Sequence, residues 1–233
     1  MDNKYRNEQS FPFEAFIVNL GMYNKGKLIG EWLEFPTTYD KVQETLNRIG
    51  IGSGNAYEEY VIFDYECHID NLYSLLGEYE RIDELNYLAM KLDEMDKGEI
   101  EKFEQVIKVF VTDSLEDLIN LTDNLEKFNY YPDVTSEKDL GHLYIDEYKQ
   151  MNVPDDIKMY FDYEAYGRDA SINEGGVFTE KGYINDSGAD IQKEYERKKG
   201  IPDEYKLKGQ DCEQSGNQQL NNMQRQQMLG KGR

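Results

Sequence analysis

Hydrophobic and polar positions in the first third of the chain predict a small sheet with one helix. Residues 15–20 and 28–35 have strand character, and the turn chemistry of Asn24-Lys25-Gly26 lies between them. Val42, Leu46 and Ile49 recur at helical spacing, which predicts a helix over residues 38–49. A third strand is predicted at residues 60–63.

The next third has the period of amphipathic helices. The predicted apolar stripes are Ile82, Leu85, Ala89 and Leu92 in one helix, and Ile100, Phe103, Ile107 and Phe110 in the next. Gly98 is predicted to separate these two helices. Ser114 precedes Asp117 by three residues, the spacing of a capping box, and so predicts the start of a third helix. Each helix would bury one face and present carboxylates on the other.

Strand and helix patterns return before the composition changes near the C-terminus. Strands are predicted at residues 129–131, 159–163, 176–178 and 183–184, and a helix at residues 136–151. Phe63-Asp64-Tyr65-Glu66 recurs at residues 161–164, which suggests two similar sheet-and-helix pieces. After Ser187, Gln, Asn, Gly and Lys dominate, which favours a mobile or partly helical extension added to a fold complete near Asn185.

These patterns predict an α+β fold divided into four segments. We expect a sheet-and-helix domain at residues 1–72, a helical domain at 73–113, a second sheet-and-helix domain at 114–186 and a polar tail at 187–233. The 233 residues include 19 Tyr and ten Phe, enough aromatic side chains to build cores.

The formal net charge of −21 narrows the range of functions. Residues 56–169 contain 30 acidic and 10 basic residues, a net of −20, whereas residues 187–233 contain seven acidic and nine basic residues. Such a balance argues against binding nucleic acid or an anionic membrane through a basic face. It also suits a solubility surface or a salt-adapted protein, which is the plain alternative to a binding function.

Residue types for catalysis or metal binding are sparse. The two histidines, His68 and His142, have no second ligand at a metal-site spacing, and residues 50–54 lack the Gly-Lys-Ser/Thr ending of a phosphate-binding loop. Pro132-Asp133 followed by Asp156-Ile157-Lys158 matches the string of a metal-dependent nuclease, which we weigh as an enzymatic alternative. We otherwise predict no catalytic residues, cofactor or metal.

The sequence also bears on where the protein acts. No apolar run follows Met1, no stretch approaches the roughly 20 apolar residues of a membrane helix, and Cys67 and Cys212 are far apart. Two distant thiols suit a reducing compartment, so we expect a cytoplasmic protein.

A sharper interpretation of the acidity is imitation of nucleic acid. Duplex DNA carries about one negative charge per 1.7 Å of axis, so 20 excess carboxylates match that density over roughly 34 Å. A basic DNA-binding protein would then take the carboxylates in place of phosphates. The predicted phosphate-mimicking residues are Glu58, Glu59, Asp64, Glu66, Asp70, Glu78, Glu80, Asp83, Glu84, Asp93, Glu94, Asp96, Glu101, Glu104, Glu116, Asp117, Asp123 and Glu126.

Four separated blocks resemble the ArdA family of antirestriction proteins. They read FIVNLGMYNKGKLIGEW at 16–32, YEEYVIFDYE at 57–66, GEYERIDELN at 77–86 and YFDYEAYGRD at 160–169. Their order and spacing agree with the family over residues 13–185, and only the tail departs from it.

The resemblance implies a DNA mimic without enzymatic activity. Members of the family are three small domains in a curved, elongated rod, carried by plasmids, phages and conjugative elements. They dimerise through the C-terminal part, here at Phe161, Tyr163 and Tyr166. They occupy the DNA-binding groove of type I restriction–modification enzymes, on the specificity and modification subunits, and protect incoming DNA. A nucleoid protein or a repressor is the alternative target.

Overall fold

The computed structural model describes residues 11–52, 54–110, 114–190 and 192–207, and shows an α+β fold. The strands are β1 (Phe13–Asn19), β2 (Gly30–Phe35), β3 (Tyr60–Cys67), β4 (Phe128–Pro132), β5 (Val177–Phe178) and β6 (Gly182–Asp186). The α-helices are α1 (Leu20–Tyr23), α2 (Tyr39–Arg48), α3 (Ile82–Glu94), α4 (Lys97–Val109), α5 (Leu115–Thr122), α6 (Glu137–His142) and α7 (Tyr163–Glu174). Short 3-10 turns occupy Tyr73–Leu75, Leu125–Lys127 and Lys158–Tyr160, and a π turn occupies Leu143–Glu147.

The N-terminal sheet is antiparallel, in the order β2-β1-β3. Alternate residues of β1, namely Phe13, Ala15 and Ile17, are fully buried and face the core. The intervening residues therefore stand on the opposite face of the sheet. The three strands and the helix that the sequence predicts here are confirmed, with Thr38 accepting a hydrogen bond from Lys41 N at the start of α2.

The predicted stripes bury α3, α4 and α5 in one core, but the boundary between α3 and α4 differs from the prediction. Gly98 lies inside α4 rather than between the helices. Asp96 is the N-cap of α4. In a capping box, the Asp96 side chain accepts a hydrogen bond from Glu99 N, and the Glu99 side chain accepts one from Asp96 N. Because Asp96 is the cap, α4 already begins at Lys97, one residue before Gly98. Ser114 caps α5 as the sequence predicts.

The main hydrophobic core is continuous from the first sheet to the last strand. It joins Phe13 of β1, Leu88 of α3 and Phe103 of α4 to Ile184 of β6. A smaller cluster around Leu140, Tyr144 and Tyr183 lies under α6 and α7. The division into separate domains and the elongated shape stay predictions.

The C-terminal sheet has the antiparallel order β4-β6-β5, and it packs near the pair α6 and α7. The strand predicted at residues 159–163 is wrong, because a 3-10 turn ends at Tyr160 and α7 begins at Tyr163. Asp162 caps this helix by accepting from Ala165 N. The tetrapeptide shared with β3 therefore has a strand conformation in one copy and begins a helix in the other, so it marks no structural repeat.

The fold also continues beyond Asn185, contrary to the sequence expectation. We name residues 192–207 the strap; this segment has turns but no helix. Tyr195 and Ile201 are buried in the main core, and Tyr205 is partly buried against it. The expected helical part of the tail is thus absent from the strap, and residues 208–233 lie outside the described part. Within the described ranges, no helix is long and apolar enough to cross a bilayer.

Candidate functional site: a carboxylate-rich surface

Three carboxylates stand side by side on the outer face of the N-terminal sheet. The strand register places Glu14 opposite Glu34 on one neighbour and opposite Glu66 on the other. We call this set the carboxylate row, and adjacent members are separated by about the 4.8 Å strand spacing. Burial, followed by the charges of Glu66 and Glu34, raises the pKa of Glu14. Like charges opposite one another destabilise a sheet, so the row opposes stability.

Aromatic rings lie next to the carboxylate row on the same face. Phe16 is opposite Trp32 in the register, with ring centroids 5.3 Å apart, and Tyr23 contacts Phe63 edge-on at 4.6 Å. Trp32 and Phe63 are about 40% exposed. Exposed rings beside carboxylates suit arginine side chains, which combine ion pairing with stacking on aromatic faces.

A second group of exposed carboxylates lies where α3 meets α4. Asp93 and Glu94 are in the last turn of α3, and Asp96 caps α4. The capping box with Glu99 fixes the position of Asp96. Capping geometry therefore holds this part of the acidic surface on rigid helix ends.

The structure distributes the predicted phosphate-mimicking residues over three levels of exposure. The exposed ones are Glu58, Glu59, Asp64, Glu66, Glu78, Asp93, Glu94, Asp96 and Glu126. The partly buried ones are Asp70, Glu80, Asp83, Glu101, Glu116, Asp117 and Asp123. Glu84 and Glu104 are buried, with exposures of 1% and 6%.

Glu104 is wrongly placed on the predicted surface, because it forms a buried ion pair. Lys181 Nζ lies 2.7 Å from Glu104 Oε2 and 3.1 Å from Asp70 Oδ2, and Asp70 N donates to Glu104 Oε1 at 2.9 Å. Burial alone would lower the pKa of Lys181, but its bonds to Glu104 and Asp70 raise that pKa overall. This cluster joins the loop after β3, α4 and the β5–β6 hairpin.

Glu84 is the second correction, because the strap covers it. Its Oε1 accepts hydrogen bonds from Tyr195 Oη at 2.7 Å and Arg197 Nε at 2.8 Å. Arg197 Nη2 also lies 2.8 Å from Glu84 Oε2, an ion-pair contact without hydrogen-bond geometry. The bond to Glu84, opposed by burial, raises the pKa of Arg197. Glu84 thus serves internal packing and is closed to a partner while the strap is bound.

Partly buried acids also have partners within the chain. Asp123 pairs with Lys91 at 2.5 Å, and Tyr130 Oη donates to Glu101 at 3.0 Å. These contacts reduce the charge that these residues present outward. The surface available to a partner therefore rests mainly on the exposed set together with Glu14 and with Glu34, whose Oε2 lies 3.0 Å from Lys41 Nζ at the exposed edge of the sheet.

Sequence reasoning missed Glu14 and Glu34. Both alternate with buried residues, Glu14 between Phe13 and Ala15, and Glu34 between Leu33 and Phe35. This period-two pattern was the available signal for an outward position. The strand pairing that brings them beside Glu66 is nonlocal and has no signal in one sequence.

The three predicted dimer residues lie close together. Phe161 contacts Tyr163 at 5.0 Å and Tyr166 at 5.9 Å between ring centroids, and all three are half-buried. Beside them, Met159 and Tyr160 are each 79% exposed. Within the described part of the chain, these two are the most exposed large apolar side chains, and they lie just before the predicted residues.

The nuclease string does not assemble around its lysine. Lys158 Nζ pairs with Asp146 at 2.9 Å and Asp155 at 3.3 Å, while Asp156 is exposed in a turn. Hydrogen bonds from His142 and then Lys158 lower the pKa of Asp146 to about 2. Among the described residues, no group of three or more His, Cys, Asp or Glu side chains could hold a metal ion.

Comparison with known proteins identifies one family. The family described as "Antirestriction protein (ArdA)" matches residues 15–185, which include all the described helices and both sheets except the first two residues of β1 and the last residue of β6. A search of curated proteins finds no match. The strap lies outside the matched range.

Proposed function

The chain belongs to the ArdA antirestriction family, and from this membership we propose that it inhibits type I restriction–modification enzymes by mimicking DNA. Its surface carboxylates take the positions of phosphates in the DNA-binding groove formed by the specificity and modification subunits. The protein acts by binding and not by catalysis. Incoming mobile DNA, such as a conjugative element, is thereby protected in the cytoplasm.

One observation carries the proposal: rigid elements display a dense excess of carboxylates. Residues 56–169 have a net charge of −20, and exposed acids lie on β3, at the end of α3 and at the cap of α4. Carboxylates held on strands and helix caps lose little freedom on binding, so they can substitute for the fixed phosphates of a duplex. Cations arranged for phosphate would then meet the surface with electrostatic steering.

A competition assay tests this function. The purified protein should displace DNA from a type I enzyme at near-stoichiometric concentration, and ATP-dependent cleavage should stop. Raising the salt concentration should weaken inhibition, because exposed charge pairs are screened. Uninterrupted cleavage at large molar excess would refute the proposal, and selective capture of a nucleoid protein or repressor would redirect it to another basic target.

We also propose that the protein acts as a homodimer, in an elongated arrangement of three small domains. The interface comprises Phe161, Tyr163 and Tyr166 together with the exposed Met159 and Tyr160. When a second copy covers exposed apolar side chains of this size, their removal from water favours association.

The oligomeric state tests the dimer. The double variant Met159→Ser/Tyr160→Ser should sediment as a monomer at concentrations where the parent protein is dimeric. Tyr79→Ser is the matched control, because Tyr79 is also largely exposed, at 74%, but lies before α3, outside the proposed interface. Equal sedimentation of all three proteins would place the interface elsewhere.

A further inference from the structure

The strap is bound to the central helices by main-chain recognition. Asn120 Nδ2 donates to Tyr195 O and Asn120 Oδ1 accepts from Tyr195 N, both at 2.8 Å. Asn124 makes the same pair of bonds with Gln192, both at 2.9 Å. Two asparagines four residues apart thus each bond the main-chain N–H and C=O of one strap residue, which uses both the donor and the acceptor of the side-chain amide.

Charged side chains of the strap add specificity at its first half. Arg197 bonds Glu84, and its Nη2 contacts Glu80 at 3.2 Å. Lys193 Nζ lies 3.3 Å from Asp117, and Arg197 N donates to Glu116 at 3.2 Å.

The second half of the strap ends on α3. Tyr205 packs on Tyr87 with ring centroids 4.7 Å apart and donates to Glu94 at 3.1 Å. Lys91 Nζ lies 5.6 Å from the centre of the Tyr205 ring. The groove between α3 and α5 is therefore filled along its length by a segment from outside the family match.

Five carboxylates of the predicted phosphate-mimicking set contact the strap. They are Glu80, Glu84, Glu94, Glu116 and Asp117. Glu80, Glu84 and Asp117 pair with Arg197 or Lys193, which partly neutralises their charge and so weakens their attraction for a cation of a partner. The strap and a basic partner thus compete for one surface.

We propose that the groove between α3 and α5 is a binding site for an extended basic segment, and that the strap occupies it as an intramolecular competitor of the basic partner. This inference rests on the proposed function. The strap lowers the apparent affinity for the partner by the fraction of molecules in which the groove is open. Water or a partner can replace the ion pairs of Lys193 and Arg197, whereas Tyr195 and Ile201 of the strap are buried in the main core and oppose its release.

Two charge reversals of equal size test the competition in the full chain. Arg197→Glu replaces the attraction to Glu84 and Glu80 by repulsion between like charges, and should therefore release the strap. Lys199→Glu makes the same charge change, but Lys199 pairs at 2.5 Å with Glu196 of the strap itself. Amide hydrogen exchange of residues 192–197 should accelerate in Arg197→Glu and stay unchanged in Lys199→Glu.

The inhibition assay then separates the outcomes. At low salt, the concentration of Arg197→Glu that halves the activity of the restriction enzyme should be about tenfold lower than that of the parent protein. The reason is that carboxylates freed from the strap can form several exposed ion pairs with the enzyme, each worth about 0.2–1 kcal/mol. Lys199→Glu should differ less than about twofold from the parent. Equal potency of the two variants, or weaker inhibition by a folded Arg197→Glu protein, would overturn the inference.

A milder variant and a separate readout keep the result decisive. If Arg197→Glu does not fold by circular dichroism, Lys193→Glu reverses the exposed contact with Asp117 and should give the same direction of change. If neither the parent nor any variant inhibits the enzyme, the proposed function fails. Hydrogen exchange alone then decides whether the strap occupies the groove.

Discussion

At the scale of single residues, two glutamates that were predicted on the acidic surface are buried instead, because cations from distant parts of the chain pair with them. Glu104 meets Lys181, 77 residues away, and Glu84 meets Arg197, 113 residues away. Removing one partner of a buried pair leaves an uncompensated charge, which costs more than the pair contributes. These contacts therefore fix how the segments pack.

Replacing Lys181 by Met should lower the free energy of unfolding by about 2 kcal/mol, because Glu104 would keep a buried charge without its cation. The partial exposure of Lys181 places the loss below the upper range for buried pairs. Lys108→Met is the control, since Lys108 pairs with the fully exposed Glu180 and its loss should change stability little. Denaturant unfolding measures both, and equal losses would contradict the buried-pair argument.

Glu14→Gln should stabilise the protein at pH 7 by about 0.5 kcal/mol, because it removes like-charge repulsion within the carboxylate row. The pKa of Glu14 is raised on folding, so the folded state binds this proton more tightly than the unfolded chain. The carboxylate therefore destabilises the fold as pH rises from about 4.5 through the raised pKa.

The advantage of Glu14→Gln should accordingly disappear below the ordinary carboxyl range. Unfolding measured from pH 3 to 8 checks this, with Glu58→Gln as the control because Glu58 lies outside the row. A stabilisation of the same size at every pH would assign the effect to side-chain packing.

At the scale of elements, α6 and α7 approach so closely that only glycine fits at two positions. A Cβ on Gly141 would collide with the backbone carbonyl of Tyr163, and one on Gly167 with that of Glu137. Because both obstacles are backbone atoms, neither can move aside without separating the helices.

Gly167→Ala should therefore destabilise the C-terminal region by about 2–3 kcal/mol, as overpacking of a closed interface does. Gly98→Ala is the matched change in α4, where the side chain would be exposed and meet only Asp96. It should stay within about 1 kcal/mol of the parent, because alanine favours a helix interior. Thermal unfolding followed by circular dichroism compares the two; similar losses would refute the close-approach argument.

The elements that follow local periodicity were predictable from the sequence, and those decided by packing were not. The stripe from Ile82 to Leu92 encodes α3, and Ser114 encodes the start of α5. Residues 159–163 are rich in aromatics and suggest a strand, but the Asp162 cap and the glycine contact with α6 impose a helix. Likewise, Glu84 lies off the apolar stripe, and its hydrogen-bond partners Tyr195 and Arg197 are more than 100 residues away in the sequence.

At the scale of the whole molecule, inhibition should depend on many carboxylates together. Neutralising Glu58, Glu59, Glu66 or Glu78 singly should weaken inhibition less than about fivefold, because each exposed contact contributes up to about 1 kcal/mol. The quadruple Gln variant should lose about 10–100-fold. One substitution that abolishes activity would contradict a distributed surface.

The matched control removes four charges outside the predicted surface. Replacing Glu147, Asp156, Glu164 and Asp169 with their amides changes the net charge equally, and these side chains are also exposed. Inhibition should then fall much less than in the first quadruple variant. Equal losses would mean that net charge alone, and not its placement, determines inhibition.

The carboxylate row has a consequence for the energetics of complex formation. An approaching cation favours the ionised form of Glu14, whose pKa the free protein holds above its ordinary value. Binding a basic partner near that raised pKa should therefore release protons. Calorimetric heats measured in two buffers of different ionisation enthalpy should differ, and the difference should shrink in Glu14→Gln. The repulsion that weakens the isolated sheet thus makes attachment to a partner a proton-coupled reaction, favoured as pH rises.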